Sequence, residues 1–524
     1  MMKPLAMVLM LGLTSGAHGA EPIQGQLTVG SRLEARVSAL LFGQFLERPS
    51  WSGEDGPESA VNGAGQLPPA IVGAIRHLQP SVIRFPGGTD VDHLDWTDLI
   101  DRVPGRPGGR PPFQQRNGTT IVSSRFGFDE FFRLNAELGA RSILVVNLLD
   151  GLSGRRSVDD AARHAAGLVA YANAPLGATL PRGMPNWPAV RLANGRSEPW
   201  KADYVQIGNE AWAFPRDLAP RGTSPAEHYR RVLRATVAAI RAVDPHIPII
   251  VDWRWNRPAL RNAILQEEWF RREVRLLAVH VYRPFGRLTI GAHQAADPPA
   301  RWWYRWSGAF DGLLHANRGG IGAPPSGYRW AITEWNWNGS GYQDQASARG
   351  VDWRQAAAVA SATFLHGLMR QGSSQVELAT QSILVGKQWG IAAVRYDPSH
   401  PGAAPMLSAQ GQVTGLYARH AGTEVIDTLL DRATARLHTP AERGRPATPL
   451  IDALATRRGR RITLHLINRS FDREVRLRVI GVAGTPQIEA VVGGKLDRNQ
   501  AVRQQGSTIL LPAQAVAAVV FAGS

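Results

Sequence analysis

The chain has 524 residues, enough for more than one domain and for a large core. Hydrophobic residues make up 44% of it and charged residues 19%, which excludes an intrinsically disordered chain. The 59 basic and 43 acidic residues give a net charge of +16, but Arg is spread along the chain and accompanies no nucleic-acid-binding motif. The charge therefore does not indicate nucleic acid as a partner, and it leaves attraction to an anionic polymer or surface open.

The first 20 residues have the pattern of a secretory signal peptide. Lys3 precedes an apolar run from Leu5 to Leu13, and small residues around Ala20 are typical of a cleavage region. The run is too short to cross a bilayer, and no later stretch of the sequence is a candidate membrane span. The chain has no Cys, which excludes disulfides and thiolate catalysis. The sequence therefore predicts an exported protein, periplasmic or secreted, without a membrane span.

Between residues 21 and 409, short apolar strand patterns alternate with helical patterns. Strands are predicted at 27–33, 40–47, 81–85, 142–148, 204–207, 247–251, 276–281, 329–333 and 376–385. Helices are predicted at 70–78, 129–138, 159–171, 224–243 and 353–369. The first strand precedes the alternation and is expected to lie outside the catalytic core. The remaining eight strands predict an α/β fold, a parallel (β/α)8 TIM barrel spanning residues 39–409.

The last part of the chain has a different pattern. Short β runs are separated by turns without intervening helices, at 425–429, 450–455, 461–468, 474–479, 487–492 and 507–520. This pattern predicts an appended all-β sandwich domain over residues 410–524. Within the barrel region, the Trp-rich segment 298–310 is expected to be a loop with a short helix, of the kind that shapes substrate subsites.

Two predicted barrel strands lead directly into a glutamate. The strand at 204–207 is followed by Gly208, Asn209 and Glu210, and the strand at 329–333 is followed by Glu334. Carboxylates at the carboxyl ends of barrel strands are placed for catalysis. Two carboxylates about 5 Å apart, one an acid/base and one a nucleophile, are the catalytic groups of retaining glycoside hydrolases. The alternative is that each glutamate caps a helix or forms a surface ion pair.

Polar residues at other strand ends are candidates for holding a sugar or the carboxylates. Asn209 can donate to a sugar hydroxyl, and Glu47 can accept from one. His280 and Tyr282 share one side of a strand, from which the Tyr282 hydroxyl can hold a carboxylate. The alternatives are that His280 and Tyr282 are core residues and that Glu47 is a surface charge.

A turn after the strand at 81–85 is a further candidate. Arg84 can orient carboxylates, and the Gly87-Gly88 pair before Thr89 allows close approach of a ligand. Aromatic residues beside Glu334 suit the apolar faces of sugar rings. Either Trp335 or Trp337 is therefore expected at the site, with packing under a loop as the alternative for each.

Signatures of other chemistries are missing from the sequence. It has no GxxxxGK[ST] or GxGxxG phosphate-binding motif, and its 14 His form no HExxH motif. It also has no GxSxG nucleophile elbow. The sequence therefore predicts no metal and no cofactor, with a carbohydrate as the partner.

Taken together, these segments resemble glycoside hydrolase family 51, the α-L-arabinofuranosidases within the clan of retaining (β/α)8 glycosidases. FGQFLER at 42–48 is similar to the family's first-strand motif, and IRFPGGTDVDHLDW at 83–96 is similar to its Arg-x-Pro-Gly-Gly turn and following Trp. IGNEAW at 207–212, HVY at 280–282 and ITEWN at 332–336 resemble the segments that carry the acid/base, its tyrosine partner and the nucleophile. VELATQSIL at 376–384 resembles the strand near the end of the barrel.

The resemblance implies a role for each matching residue. Glu210 would be the acid/base and Glu334 the nucleophile of an exo-acting α-L-arabinofuranosidase. It further implies that residues 21–38 join the C-terminal β-sandwich. The residues implied to bind substrate are Glu47, Arg84, Gly88, Thr89, Trp96, Asn209, His280, Tyr282, Trp335 and Gln381.

The sequence departs from the family at three positions. Thr333 stands where members often have Asp, Thr89 where many have Asn or Cys, and Arg48 where His is usual. The sugar therefore stays open. The alternatives are a retaining glycosidase of the same clan on another sugar or an acidic polysaccharide, and a non-catalytic carbohydrate-binding protein whose two glutamates do not face each other. A homo-oligomer is also left open.

Overall fold

The computed structural model describes residues 20–48, 56–114, 121–211, 218–253, 258–283, 297–313, 321–338, 350–387, 391–400, 402–441 and 447–522. The predicted leader and Trp212 therefore lie outside the described residues, apart from Ala20. The strands are β1 Ile23–Arg36, β2 Leu40–Phe45, β3 Val82–Phe85, β4 Phe113–Gln114, β5 Ile121–Val122, β6 Arg141–Val146, β7 Tyr204–Ile207, β8 Ile249–Asp252, β9 Leu276–Arg283, β10 Arg329–Trp337, β11 Val376–Ser382, β12 Val385–Gly386, β13 Val394–Arg395, β14 Met406–Leu407, β15 Glu424–Leu430, β16 Ile451–Arg458, β17 Arg461–Asn468, β18 Val475–Ile480, β19 Gln487–Val492, β20 Lys495–Leu496, β21 Arg503–Gln505, β22 Thr508–Leu511 and β23 Val516–Phe521.

Most of the helices lie between strands β2 and β11 in chain order. They are α1 Pro57–Ala60, α2 Pro69–Leu78, α3 Phe128–Leu138, α4 Leu149–Ser153, α5 Val158–Asn173, α6 Trp187–Ala193, α7 Pro225–Val243, α8 Pro258–Gln266, α9 Glu268–Glu273, α10 Pro299–Ser307, α11 Trp353–Gln371, α12 Ala409–His420 and α13 Arg432–Ala435. Two short 3₁₀ helices, Thr89–Asp92 and Trp96–Leu99, follow β3. Within the described ranges, no helix is long and apolar enough to cross a membrane.

Eight strands close into a parallel barrel in the order β2, β3, β6, β7, β8, β9, β10 and β11. One apolar cluster takes a side chain from every one of them and fills the barrel interior: Leu40, Val82, Ile143, Tyr204, Ile250, Leu276, Ala278, Ala331 and Leu378. A filled interior makes the barrel a core rather than a pore, so the polar side chains collect at the carboxyl ends of the strands. The predicted TIM barrel is confirmed.

Local sequence signals explain where the barrel helices begin. Ser224 accepts a hydrogen bond from the backbone N–H of Glu227 and Pro225 occupies the first turn, so α7 starts where the sequence predicts. Ser157, Asp352 and Ser408 cap α5, α11 and α12 in the same way.

The Trp-rich segment 298–310 differs from its prediction as a subsite loop. Most of it is helix α10, in which Trp302, Trp303 and Trp306 are almost fully buried. The Trp303 indole donates to the backbone carbonyl of Arg469 in the β domain. Because the three indoles lie on the buried face of an amphipathic helix, they pack the molecule and are not subsite residues.

The remaining long strands form an all-β domain with one hydrogen-bonded sheet of ten strands. The order is β20, β19, β23, β17, β16, β15, β1, β18, β22 and β21. Strand β1 lies inside this sheet, antiparallel to β15 and parallel to β18. Apolar side chains from both halves of the sheet, including Leu27, Leu466 and Val519, form a second core. The predicted appended β domain is confirmed as a fold class.

The expected domain boundary at residue 410 does not match the structure. Residues 409–420 form helix α12, which packs against the barrel helices α2 and α11. The sequence does not predict this helix because Gly411, Thr414 and Gly415 have low helix propensity. Most of the helix is buried, and this burial compensates for the low helix propensity of these residues.

Candidate active site

The two strand-end glutamates meet at the carboxyl end of the barrel. One carboxylate oxygen of Glu210, one of Glu334 and a ring nitrogen of His280 all lie within 4.8 Å of one another. Glu210 follows β7, Glu334 lies in β10, and His280 lies beside Glu334 on the neighbouring strand β9. The spacing matches the short separation of a retaining pair and is below that of an inverting pair.

Glu334 is held from both sides. Arg84 Nη1 donates to its Oε1 at 2.8 Å, and the Tyr282 hydroxyl donates to its Oε2 at 2.7 Å. The carboxylate is almost fully buried, and Arg84 has no exposed surface. The two donors therefore fix the orientation of the Glu334 carboxylate relative to the barrel axis.

Arg84 also connects this carboxylate to β7. Its Nε donates to Gln206 Oε1 at 2.9 Å and its Nη2 to Asn209 Oδ1 at 2.6 Å, while the guanidinium lies 4.4 Å from the Phe45 ring centre. A planar guanidinium presents its donors in a rigid fork, so these contacts fix the partners relative to one another. The amide oxygen of Asn209 is engaged, and its NH₂ group is the part that can donate to a ligand.

Glu210 has an unusual backbone conformation. Its φ is +46° and that of Gly208 is +75°, so two of three successive residues are left-handed. The backbone N–H of Asn209 donates to Asp92 Oδ2 at 3.1 Å, and that of Ala211 donates to Asp252 Oδ2 at 2.5 Å. The Glu210 side chain is 32% exposed, far more than that of Glu334, and so is accessible from the mouth of the barrel.

Glu210 and His280 form a hydrogen-bonded pair, with His280 Nδ1 2.9 Å from Glu210 Oε1. Burial raises the pKa of the Glu210 carboxyl, but the His280 hydrogen bond and the charges of His280 and Arg84 outweigh burial and hold that pKa below its ordinary value. Burial lowers the pKa of His280, but the Glu334 charge and the contacts with Glu210 raise it above its ordinary value overall. The lowered pKa of Glu210 and the raised pKa of His280 indicate that the two side chains share one proton and titrate together.

The same three side chains would also suit a cation by their spacing. The surroundings do not fit one, because the guanidinium of Arg84 already lies 2.8 Å from Glu334 and the Tyr282 hydroxyl donates to the other oxygen. A metal bound there would have to displace a buried positive charge. The donor set therefore suits proton transfer better than metal binding.

The Gly-Gly turn brings Glu47 to the site. A Cβ atom on Gly88 would lie 2.6 Å from Glu47 Oε1 and 3.5 Å from Glu334 Oε1. Glycine at this position therefore leaves the space in which the two carboxylates approach the turn. Thr89 is partly buried at the start of the 3₁₀ helix that follows.

Three residues expected to bind substrate lie elsewhere. Trp335 follows Glu334 in β10, so it faces the opposite side of the barrel wall and packs 5.0 Å from the Phe364 ring centre. Gln381 is in register with Trp335 and accepts from Thr414 of α12. Both are fully buried between the barrel wall and the helices, which excludes contact with substrate.

Trp96 is also in the core. Its ring centre lies 4.6 Å from that of Trp187, and its indole donates to the backbone carbonyl of His164. Trp96 begins the second 3₁₀ helix, and its side chain packs against α5 and α6. The expectation that Trp96, Trp335 and Gln381 bind substrate is corrected accordingly.

Sequence reasoning missed four polar residues of the site: Gln206, Thr333, Asp92 and Asp252. Thr333 Oγ1 is 3.0 Å from His280 Nε2 and fixes the ring on the side away from Glu210. Asp252 ends an apolar strand, which is the same signal that identifies the two glutamates. Asp92 carries no such signal, since it ends a short 3₁₀ helix and not a strand.

Comparisons with known proteins show what this chain is similar to. Residues 74–289 match the family model described as "Alpha-L-arabinofuranosidase 1 domain". An intracellular exo-alpha-L-arabinofuranosidase from Bacteroides ovatus is 27% identical over 36% of this chain, and an intracellular exo-alpha-(1->5)-L-arabinofuranosidase from Streptomyces lividans is 29% identical over 41%. The matched regions span 34% and 30% of those two relatives' own lengths, so the chain matches about a third of each.

Solved structures extend the likeness to almost the whole chain. AbfB, a family 51 alpha-L-arabinofuranosidase from Bifidobacterium longum, superposes with a TM-score of 0.68 at 17% identity, covering 95% of this chain and 100% of that one. The arabinose complex of an alpha-L-arabinofuranosidase from Thermotoga maritima gives a TM-score of 0.63 at 16% identity, covering 95% and 99%. At these identities the likeness shows a shared fold.

The comparisons overturn the expected location. The relatives from Bacteroides ovatus, Streptomyces lividans and Bacillus subtilis are all named intracellular enzymes. These names contradict the prediction of a periplasmic or secreted protein, and that prediction is wrong. The apolar N-terminal pattern on which that prediction depends lies outside the described residues.

Proposed function

Because the chain resembles the family 51 α-L-arabinofuranosidases in the sequence of its central part and in fold over nearly its whole length, we propose that it is a retaining, exo-acting α-L-arabinofuranosidase. The observation that carries this proposal is the approach of Glu210 and Glu334 within 4.8 Å at the carboxyl end of the barrel. That separation supports a double-displacement mechanism through a covalent glycosyl-enzyme. Cleavage is proposed on arabinofuranosyl residues of oligosaccharides or polysaccharides.

In the first step, Glu334 Oε attacks the anomeric carbon while the bond from that carbon to the leaving oxygen breaks. Arg84 and Tyr282 hold the attacking carboxylate in place. Glu210 gives its proton to the leaving oxygen, which departs as the alcohol. Since His280 and Glu210 hold one proton between them across 2.9 Å, transfer from Nδ1 to Oε1 makes the neutral acid without a proton from solvent.

In the second step, the Glu210 carboxylate removes a proton from water as the water oxygen attacks the anomeric carbon. The ester bond to Glu334 breaks, its carboxylate is restored, and the sugar leaves with retained configuration. The greater exposure of the Glu210 side chain supports this assignment, because the acid/base must meet both the leaving group and water. Glu334, buried against Arg84, suits the nucleophile.

Sugar binding is proposed for the side chains that border the two carboxylates. Glu47 is proposed to accept hydrogen bonds from sugar hydroxyls, and the NH₂ group of Asn209 to donate to the hydroxyl beside the reacting carbon. Gly88 is proposed to let the ring approach the backbone, with Thr89 at the edge of the subsite.

Hydrolysis of 4-nitrophenyl α-L-arabinofuranoside, with the anomeric proton of the product followed by NMR, tests the proposal. The expected first product is the retained α anomer, and Glu334→Ala should lower kcat by about 10⁴-fold or more, as loss of a catalytic nucleophile does elsewhere. A linear arabino-oligosaccharide should release single arabinose units if the action is exo. Normal turnover by Glu334→Ala, or an inverted product, would contradict the mechanism.

A second candidate is a retaining glycosidase on another sugar or on an acidic polysaccharide. The net charge of +16 favours an anionic polymer. The fold is also shared with CelM2, a bifunctional glucanase-xylanase from a metagenome library, at a TM-score of 0.56 and 12% identity. A panel of aryl xylosides, glucosides and glucuronides beside the arabinoside separates the two candidates by relative kcat/KM.

A further inference from the structure

Two buried carboxylates hold the backbone on either side of Glu210. Asp92 accepts the backbone N–H of the preceding residue, Asn209, and Asp252 accepts that of the following residue, Ala211. Neither aspartate has a role in the reaction steps above, and both are almost completely buried, with 1% and 3% of their surface exposed.

Their position matters because Glu210 has a backbone conformation that its side chain disfavours. At φ +46° it lies in the left-handed region, which non-glycine residues rarely occupy. Such a conformation persists only where the surrounding structure over-determines it, and it occurs preferentially at functional sites. Hydrogen bonds to the backbone N–H groups of the residues immediately before and after Glu210 supply that constraint.

Asp92 also joins neighbouring strand ends. Its Oδ1 accepts from the backbone N–H groups of Leu148 and Leu149 at 2.8 and 3.2 Å, while its Oδ2 accepts from Asn209. The residues after β6 and those after β7 are thus connected to one carboxylate. An ionised carboxylate suits this arrangement because it is an acceptor at both oxygens, whereas an amide or a protonated acid places a donor at one of them.

Burial makes it unfavourable to keep the two aspartates ionised. Burial raises the pKa of Asp92 to about 7, opposed by its three backbone hydrogen bonds and assisted by the charge of Asp252. Burial raises the pKa of Asp252 to about 6, opposed by His280 and Arg84 and assisted by Glu210. Apolar residues at these two positions would avoid that cost, but they would leave four backbone N–H groups without these acceptors.

We propose that Asp92 and Asp252 are positioning residues that hold the Glu210 carboxyl where it protonates the leaving group. The inference depends on the proposed function, since it assigns Glu210 the part of acid/base. A positioning role differs from a purely structural role in one measurable respect. Loss of either aspartate should impair proton donation more than it impairs nucleophilic attack.

Leaving-group dependence measures that difference. An aryl arabinoside with a very good leaving group, 2,4-dinitrophenolate, needs little protonation, whereas 4-methoxyphenolate and an arabino-oligosaccharide need a well-placed acid. Asp92→Asn preserves side-chain volume and replaces one of two accepting oxygens with an NH₂ group. Among the described residues only Oδ2 of Asp252 accepts a hydrogen bond, which an amide would keep, so Asp252→Leu is the variant that removes the acceptor of the Ala211 N–H. We expect each to lower kcat/KM for the 4-methoxyphenyl substrate about ten- to hundredfold more than for the dinitrophenyl substrate, within the range that general acid catalysis supplies.

Asp129→Asn is the matched control. Asp129 is another buried carboxylate with a raised pKa, and it accepts from the Tyr171 hydroxyl of α5 and from the Trp200 indole in the segment between α6 and β7. Its loss should lower thermal stability and leave the ratio of the two kcat/KM values unchanged. Circular dichroism reports folding of each variant, and Asp252→Leu is the test if Asp92→Asn fails to fold.

The outcomes separate this inference from the proposed function. A wild-type protein that hydrolyses neither arabinoside overturns the proposed function and the inference with it. An active wild type whose folded aspartate variants lose both activities equally, or lose neither, overturns the inference and leaves the proposed function standing. A ratio that changes in the Asp92 and Asp252 variants but not in Asp129→Asn supports it.

Discussion

Arg84 donates to three residues that lie far from it in the sequence. Its guanidinium contacts Gln206, Asn209 and Glu334 through three different nitrogens. A carboxylate and two amide oxygens thereby take fixed positions around one planar cation, which itself lies against the Phe45 ring. The relative placement of the proposed nucleophile and the proposed sugar-binding amide therefore depends on a single side chain.

Arg84→Lys tests that dependence. A lysine ammonium is a point charge without the planar fork, and it cannot reach three acceptors in these directions at once. With at least one charge-assisted hydrogen bond lost, worth about 1.5–3 kcal/mol, kcat/KM should fall by about ten- to hundredfold or more. Steady-state kinetics on an aryl arabinoside measure the effect.

Arg191→Lys provides the control for losing a buried arginine. Arg191 is fully buried and donates to the backbone carbonyls of Tyr171, Ala174 and Ser197, away from the barrel mouth. This variant should lose thermal stability and retain wild-type kcat/KM. Equal losses of activity in the two variants would show that Arg84 acts through stability alone.

At the scale of elements, strand β10 shows what could be predicted from sequence and what could not. An apolar strand leading into a glutamate can be read from the sequence alone, and in the structure Glu334 lies within that strand. The side of the strand on which each residue lies was not visible, because the pairing register shifts between Ala331 and Glu334. Thr333 and Glu334 consequently both contact His280, and Trp335 points to the helices.

The same limit explains the other differences. Eight alternations of strand and helix predict a barrel, and they place every strand end on one face. They do not reveal hydrogen bonds between the connections that follow different strands, so they do not identify Asp92 in its short 3₁₀ helix. Aromatic residues near catalytic motifs, such as Trp96, are more often packed under them than exposed to substrate.

Gly208→Ala tests the element that carries Glu210. Gly208 has φ +75°, and an added Cβ would lie 3.1 Å from Leu148 Cβ, in the loop that Asp92 connects to this turn. The left-handed conformation alone should cost about 1–2 kcal/mol of unfolding free energy. Displacement of the turn should lower kcat by a further factor of about ten to a hundred, since small shifts of a catalytic group have effects of this size.

Gly195→Ala separates the two effects. Gly195 has φ +93°, and an added Cβ would meet no atom within 4 Å. It should therefore show a similar loss of unfolding free energy in urea denaturation with unchanged kcat. If both alanine variants keep full activity, the turn after β7 tolerates displacement and its geometry is not critical.

At the scale of the whole molecule, the barrel and the β domain share a buried polar network. His366 of α11 lies 3.1 Å from Asp452 of β16 through Nδ1, and its Nε2 lies 2.7 Å from the Tyr417 hydroxyl of α12. The Tyr417 ring stacks on His465 of β17, which contacts Thr456. Because two barrel helices and two strands of the β domain contribute to one network, the two parts are expected to unfold together.

This network should make the stability of the protein sensitive to acid. Burial lowers the pKa of His465 well below its ordinary value, and nearby His366, His420 and Arg461 act in the same direction. The unfolded chain binds a proton at this histidine near pH 6.5, but the folded chain does not. The contribution of His465 to stability is therefore complete above about pH 6.5 and decreases below it by about 1.4 kcal/mol per pH unit.

His465→Gln should remove this dependence. We expect the free energy of unfolding of the variant, measured by urea denaturation between pH 7 and pH 5, to fall by about 2 kcal/mol less than that of the wild type over this range. The buried carboxylates beside Glu210 have raised pKa values and act with the opposite sign, but they contribute equally to both proteins and cancel in the difference. His246→Gln, at an exposed position, should leave the wild-type slope unchanged. Parallel pH profiles for His465→Gln and the wild type would show that His465 becomes protonated in the folded protein. Any loss of stability in acid would then come from another titratable group.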